Sequence, residues 1–299
     1  MNKPKVVAIV GPTSSGKTSL SIKVAKAFNG EVISADSRQV YIGMDIGTGK
    51  VASAEMEGVP HHLLNVLQPI ESYTAAHFKT DAAAAITTIN ARGHLPIIAG
   101  GTFFYLDILR GKMQPAPVEP NEALRTHLES LSTETLVNLL KEKDASRAET
   151  IDIHNRRRII RSLEIINSLG AVPEVIINES PYDMLNIGID IEKETLHKNI
   201  HTRLHERFAA GMIEEVAHLR DSGVSYDRLD GFGLEYRYIA KYLKGELTEA
   251  DMKTELETKI RQFAKRQMTW LKRDQEIDWF PAQNHELILL RVQAFLQAS

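Results

Sequence analysis

Runs of apolar residues and polar breaks alternate along the first third of the chain. Lys5–Val10 is a β-branched apolar run between Pro4 and Gly11, which predicts a short buried strand. Residues 19–28 read as an amphipathic helix, 31–35 as a second strand ending at Asp36, and 78–91 as helical by composition. Leu95–Ala99 reads as a third strand, ending in the turn Gly100, Gly101, Thr102. Strand alternating with helix argues for an α/β fold with a parallel sheet covered on both faces. Ligands of such sheets bind beyond the carboxyl ends of the strands. Asp36 and Thr102 both fall at such ends.

The pattern changes at residues 114–120, where Pro115, Pro117 and Pro120 cannot continue a helix or a central strand. Asn121 is placed to cap a helix to about 131, and Ser132 or Thr133 the next, to about 143. A third helix is predicted from Asn155 to Leu169, stopped by Gly170, and Pro181 marks the far boundary. The expected organisation is an all-helical insertion over 114–182, set into a core of 1–113 and 183–299. Residues 186–191 look like a strand returning to the sheet. Leu196, Ile200, Leu204, Phe208, Met212, Val216 and Leu219 form one apolar stripe, which predicts a single long helix. A last helix is expected over 250–273.

Composition narrows the class. The 299 residues are 43% hydrophobic and 25% charged, enough apolar material for a full core. Cysteine is absent, which excludes disulfides and thiolate metal sites. No apolar signal region leads the chain and no run reaches membrane-spanning length, so a cytoplasmic enzyme is the expectation, and nothing demands more than a monomer. A net charge of −3 argues against a uniformly basic coat, so a nucleic-acid partner needs local patches. Two exist. Arg156, Arg157, Arg158 and Arg161 cluster in one segment, and Lys259, Arg261, Lys265, Arg266, Lys272 and Arg273 in another.

The candidate chemistry starts at Gly11-Pro12-Thr13-Ser14-Ser15-Gly16-Lys17-Thr18, which fits the G-x-x-x-x-G-K-[ST] phosphate-binding loop between a predicted strand and a predicted helix. Backbone N–H groups and the positive end of the helix dipole converge there on a phosphate. Lys17 adds a mobile cation, and Thr18 can place its hydroxyl on a magnesium ion. The loop alone leans towards ATP without identifying the bound molecule.

That loop, with Ile33-Ser34-Ala35-Asp36-Ser37-Arg38-Gln39-Val40-Tyr41, Gly43-Met44-Asp45-Ile46-Gly47-Thr48, His61-His62-Leu63, Gly100-Gly101-Thr102 and Ala264-Lys265-Arg266-Gln267-Met268-Thr269-Trp270, closely resembles the bacterial tRNA dimethylallyltransferase (IPP transferase) family. The match runs in order over nearly the whole chain. It implies a P-loop NTPase-like core that transfers a dimethylallyl group from dimethylallyl diphosphate to N6 of adenosine 37 in tRNA. The loop then holds a prenyl diphosphate rather than ATP. Asp36 matches the family's catalytic aspartate, a general base for a weakly nucleophilic N6. A turn-capping or magnesium-ligating aspartate is the alternative. Lys17, with Mg2+ at Thr18, fits the departing diphosphate. Thr102 and Arg125 match positions near the reacting centre, though Arg125 also reads as an exposed helix arginine. Arg203 and Arg207 match diphosphate contacts, or else a solvated helix face. The segment Arg157, Arg158, Ile159, Ile160, Arg161 aligns with the tRNA-contacting stretch of the insertion. Asp36, Ser37, Arg38 and Gln39 are placed to read the flipped base, and Lys265 and Arg266 to grip tRNA.

Some positions depart from the family pattern: Asp152-Ile153-His154-Asn155, Gly233-Leu234-Glu235-Tyr236, Ile260 before Arg261, and Phe103-Phe104 after Thr102. His197, His201 and His205 lie four apart, but the H-E-x-x-H zinc form needs an acid after its first histidine and Thr202 follows His201, which argues against a metal there. Three rivals are a P-loop kinase of a small metabolite, an adenylate isopentenyltransferase acting on free AMP, and a catalytically silent RNA-binding module. The kinase explains neither the insertion nor the second basic segment. The AMP enzyme needs no two basic patches. The silent module does not need Lys17, Thr18, Asp36 and Thr102.

Overall fold

The computed structural model describes residues 3–173 and 177–298. Its first elements are β1 (Lys5–Val10), α1 (Lys17–Ala27), β2 (Gly30–Ser34), β3 (His61–His62), α2 (Ala75–Ala91), β4 (Leu95–Ala99) and α3 (Phe103–Leu109). Next come α4 (Glu122–Ser130), α5 (Thr133–Lys143), α6 (Ala145–Thr150), α7 (Arg156–Leu169) and β5 (Asp183–Asp190). The rest are α8 (Lys193–Ala209), α9 (Met212–Asp221), α10 (Tyr226–Gly231), α11 (Leu234–Leu243), α12 (Glu249–Leu271), β6 (Ile277–Pro281) and α13 (His285–Gln297). The chain divides into two compact units, Met1–Gly111 with Glu179–Ser299, and Lys112–Asn178.

The first unit is an α/β layer structure of the P-loop type. Its strands run in the order β3-β2-β4-β1-β5-β6, every neighbouring pair parallel. Alternate residues of β1 point to opposite faces. Val7 and Ile9 pack with Leu20 and Val24 of α1 and Ile288 and Val292 of α13. Val6, Ala8 and Val10 pack with Phe78 and Ile86 of α2 and Leu106 of α3. Coverage of both faces is why the strand reads as an unbroken apolar run. Register then sets the site: Ile9 and Ser34 are both level with Ala99. The chain therefore leaves β1, β2 and β4 side by side, at Gly11, Ala35 and Gly100.

Two expectations are corrected here. The stripe from Leu196 to Leu219 is two helices, α8 and α9, because Gly211 at φ 95° ends the first. The stripe survives the break because Leu196, Ile200, Leu204, Met212, Val216 and Leu219 all enter one cluster with Val40, Tyr41 and Met44. α12 is not the last element, since β6 and α13 follow it. β6 pairs with β5 over Asn186–Asp190, and its five residues end in a proline that suits an edge.

In the second unit, Asn121, Ser132, Asp144 and Asn155 each cap a helix through a side-chain oxygen that accepts a backbone N–H three residues on. Gly170, at φ 84°, ends α7. The core is Leu128, Leu136, Leu140, Ile159, Ile160, Leu163 and Ile166. Glu164 lies among them, 1% exposed at its side chain, and is held by Arg125 at 2.9 Å and Arg161 at 2.6 Å. The Asn121 N–H also donates to it, at 2.7 Å. Burial would raise this carboxyl, but these hydrogen bonds hold it below the usual range.

Candidate functional site

The phosphate-type loop turns from β1 into α1 with Ser14 at φ 60° and Gly16 at φ 90°, so the backbone enters the helix through two left-handed residues. The Lys17 ammonium donates to the Pro12 carbonyl at 2.7 Å. Burial and the nearby Arg203 guanidinium push this ammonium down to about 7, against the pull of Asp36. An anion arriving in the loop would restore its charge. The Ser15 hydroxyl is buried without a hydrogen-bond partner. Thr18, on the first turn of α1, is exposed. Hydroxyl oxygens of this kind suit a hard cation such as Mg2+ held between protein and phosphate.

Asp36 follows β2 at the level of that loop. The Arg38 N–H donates to its Oδ1 at 2.8 Å, and the Ser37 N–H donates to the Thr102 hydroxyl at 3.1 Å. These bonds fix the turn, and Oδ2 lies beside Gly101, 3.9 Å from where a β-carbon would stand there. Gly100 is obligatory, because a β-carbon on it would lie 2.2 Å from the Ala35 carbonyl oxygen. Gln267 of α12 ties the two loops together. Its Oε1 accepts the Thr13 N–H at 2.8 Å and its Nε2 donates to the Gly101 carbonyl at 3.3 Å.

Arg203 and Arg207 of α8 complete the wall. Arg203 donates to the Gly49 carbonyl at 3.2 Å, and Arg207 pairs with Glu235 at 3.3 Å. Burial and the neighbouring Arg207 lower the Arg203 guanidinium to about 10. Burial pushes the Glu235 carboxyl up, against Arg207. Gln39 accepts the Ser34 hydroxyl at 3.0 Å, while its amide makes only long bonds to the carbonyls of Thr48 and Gly49 at 3.5 and 3.4 Å. Lys17, Asp36, Arg203 and Arg207 are therefore linked electrostatically at the carboxyl-end side of the sheet. Asp36 and Glu235 offset part of this positive charge, yet burial keeps Lys17 and Arg203 below their ordinary values, so an arriving anion would be favoured there.

The other predicted residues are described within their own units. Arg125 belongs to the helical unit and is engaged with Glu164. In the segment 157–161, Arg157 and Arg158 face outward, Arg161 holds Glu164, and Ile159 and Ile160 are core. The helical period turns those two isoleucines inward, so their side chains offer nothing to tRNA, which corrects their assignment. Arg156 is structural, donating to the carbonyls of Glu129 and Leu131 at 2.7 and 2.6 Å. Lys265 and Arg266 are exposed on α12, between Phe263 and Trp270, themselves 40% and 41% exposed.

A family model described as IPP transferase matches residues 39–274. The chain belongs to the IPP transferase family. It is 40% identical over 273 residues to "tRNA dimethylallyltransferase 2" of Shewanella sediminis, covering 91% of this chain and 90% of that one. It is 41% identical to the tRNA dimethylallyltransferase of Thermomicrobium roseum, covering 94% and 87%. Among solved structures, the full-length tRNA isopentenylpyrophosphate transferase of Bacillus halodurans superposes with TM-score 0.75 at 36% identity, covering 99% and 97%. A eukaryotic dimethylallyltransferase described as acting on tRNA superposes with TM-score 0.79 at 29% identity, covering 94% and 74%.

Sequence reasoning gives no role to three residues that shape the site in this IPP transferase, although Gln267 and Glu235 lie in segments it names. Gln267 is a polar residue on the buried stripe Leu256, Ile260, Ala264, Leu271 of α12, and that misfit is a usable signal. Glu215 accepts the N–H groups of Asp45, Ile46 and Gly47 at 2.9, 2.6 and 3.0 Å and the Tyr236 hydroxyl at 2.8 Å. It thereby pins the loop that carries Gly49. Glu235 shares a helix with Tyr236. No local pattern marks Glu215, and Glu235 is marked only by its place in a segment that departs from the family pattern.

Proposed function

We propose that this chain transfers a dimethylallyl group from dimethylallyl diphosphate to N6 of adenosine 37 in tRNA, releasing diphosphate. The observation that carries the reading is the meeting of a carboxylate fixed by its own turn, Asp36, with the desolvated cations Lys17 and Arg203. The names of the relatives point the same way.

The diphosphate sits in the loop Gly11–Thr18 under its backbone N–H groups. Thr18 is the residue to hold a Mg2+ ion, whose charge, when bound, offsets that of the diphosphate. The bond from N6 to the allylic carbon forms as the carbon–oxygen bond to diphosphate breaks. Asp36 takes the N6 proton on Oδ2, the carboxylate oxygen that the Arg38 N–H does not engage. Lys17, Arg203 and Arg207 meet the negative charge that grows on the leaving group. Thr102 steadies the turn that carries Asp36 through the Ser37 amide.

The adenine must leave its stack to reach this site. Ser37, Arg38 and Gln39 line its approach, and the long amide bonds of Gln39 are easily exchanged for bonds to a base. Arg157, Arg158, Lys265 and Arg266 grip phosphates, while Phe263 and Trp270 offer faces for stacking. Arg125 and Arg161, through Glu164, stiffen the helix that presents Arg157 and Arg158.

The test is one incubation. The enzyme is given dimethylallyl diphosphate labelled in the prenyl group, Mg2+, and either tRNA or AMP, with ATP turnover followed in parallel. Label in tRNA supports the reading. Label only in AMP, or ATP turnover alone, replaces it with a nucleotide prenyltransferase or a kinase.

A further inference from the structure

The histidine spacing that failed the H-E-x-x-H test finds its acid elsewhere in the chain. His201 and His205 are one turn apart on α8, with ring centroids 4.3 Å apart. Glu257 of α12 comes up beside them, its Oε2 3.0 Å from His201 Nδ1. One ligand atom from each of the three lies within 4.8 Å of the others. We propose that His201, His205 and Glu257 form a surface site for a divalent transition-metal ion of the Zn2+ class, clipping α8 to α12.

The donor set fits that class. Two imidazoles and a carboxylate are the ligands of an open tetrahedral zinc site, with water in the fourth position. Bonds of about 2.0–2.2 Å need ligand atoms roughly 3.3 Å apart, so the group must close by an ångström or so. Both histidines are exposed on α8, where small side-chain rotations achieve this. The carboxylate is already oriented. Arg261 engages Glu257 Oε1 and leaves Oε2 facing His201. Such outer partners commonly set ligand direction and affinity. Mg2+ is a poor fit, because it prefers an all-oxygen octahedron.

The site is separate from the transferase chemistry and does not depend on it. A shift of two residues turns about 200° around a helix, so His201 and His205 leave α8 on the side opposite Arg203 and Arg207. The bound ion would brace the helix bearing those arginines against the helix bearing Gln267.

The experiment uses the full chain, stripped with chelator, and ZnCl2 or CoCl2 alone as probe. Calorimetric titration should give one Zn2+ per chain, and the melting temperature should rise with ZnCl2 and not with MgCl2. Co2+ should give visible bands of a tetrahedral imidazole site. The double variant His201→Ala/His205→Ala should lose the binding and the bands. Arg261→Gln should weaken binding about 10–100-fold. His197→Ala, one turn away and outside the set, should bind as the parent does. Undetectable binding in the parent, unchanged binding in the double variant, or equal loss in His197→Ala overturns the proposal.

Discussion

A β-carbon on Gly49 would stand 1.7 Å from a guanidinium nitrogen of Arg207 and 2.4 Å from one of Arg203. The loop is glycine there because two arginines pass over its backbone, and its φ of 59° adds a second reason. Gly49→Ala is expected to displace both arginines by an ångström or more. Misplacement on that scale costs on the order of 100-fold in kcat/KM. Steady-state kinetics with labelled donor checks this, with circular dichroism as the folding control.

Lys17 makes donor binding pH-dependent. Its ammonium is lowered to about 7, so at higher pH the empty loop holds a neutral amine. An arriving diphosphate re-protonates it, and binding takes up a proton. The donor Kd should therefore be insensitive to this group below pH 7. Above pH 7 it should weaken by up to about tenfold per pH unit. Calorimetry in two buffers of different ionisation enthalpy measures the uptake, which Lys17→Met should abolish.

Asp36→Asn keeps an oxygen to accept the Arg38 N–H but removes the proton acceptor. The loop geometry survives and the chemistry does not. A fall in kcat of about 100- to 10,000-fold is expected, with the donor Kd unchanged. Weakened donor binding of the same size would make Asp36 a binding group instead.

Glu31 forecasts the acid limit of the fold. Its side chain is 3% exposed, at the base of the sheet, and takes hydrogen bonds from His62, Arg92 and His94 at 2.6–2.7 Å. Burial opposes ionisation, but these three partners prevail and hold the carboxyl down at about 2. Because the folded value lies below the unfolded one, the stabilisation is complete above about pH 4.5. It is lost as pH falls from there to about 2. A shift of this size corresponds to roughly 3 kcal/mol. Urea unfolding of the parent should lose stability through that window more steeply than Glu31→Gln.

What the sequence disclosed follows from how far apart the interacting residues lie. β1, β4 and the caps Asn121 and Ser132 are readable because each is decided within a few residues. The loop Gly11–Thr18 was readable because its chemistry and its strand–helix setting are contiguous. Gly211 was passed over because the apolar stripe keeps its phase across the break. β3 is only two residues long, too short for any period. The meeting of Arg203 with Gly49, and of His201 with Glu257, is made by tertiary packing and leaves no local trace. The segment 157–161 shows the opposite failure, where a basic run hid two core isoleucines that the helical period would have separated.

Gln267 makes α12 a spacer. The same rod shows Lys265 and Arg266 to solvent and plants an amide between the phosphate loop and the turn at Gly101. One residue of rise along a helix is about 1.5 Å, so both of those hydrogen bonds are kept only while the rod holds its present register. The packing of Met252, Leu256, Ile260 and Ala264 in the core holds it there. The spacing between the two site loops is thus set by the burial of a helix whose other face meets solvent.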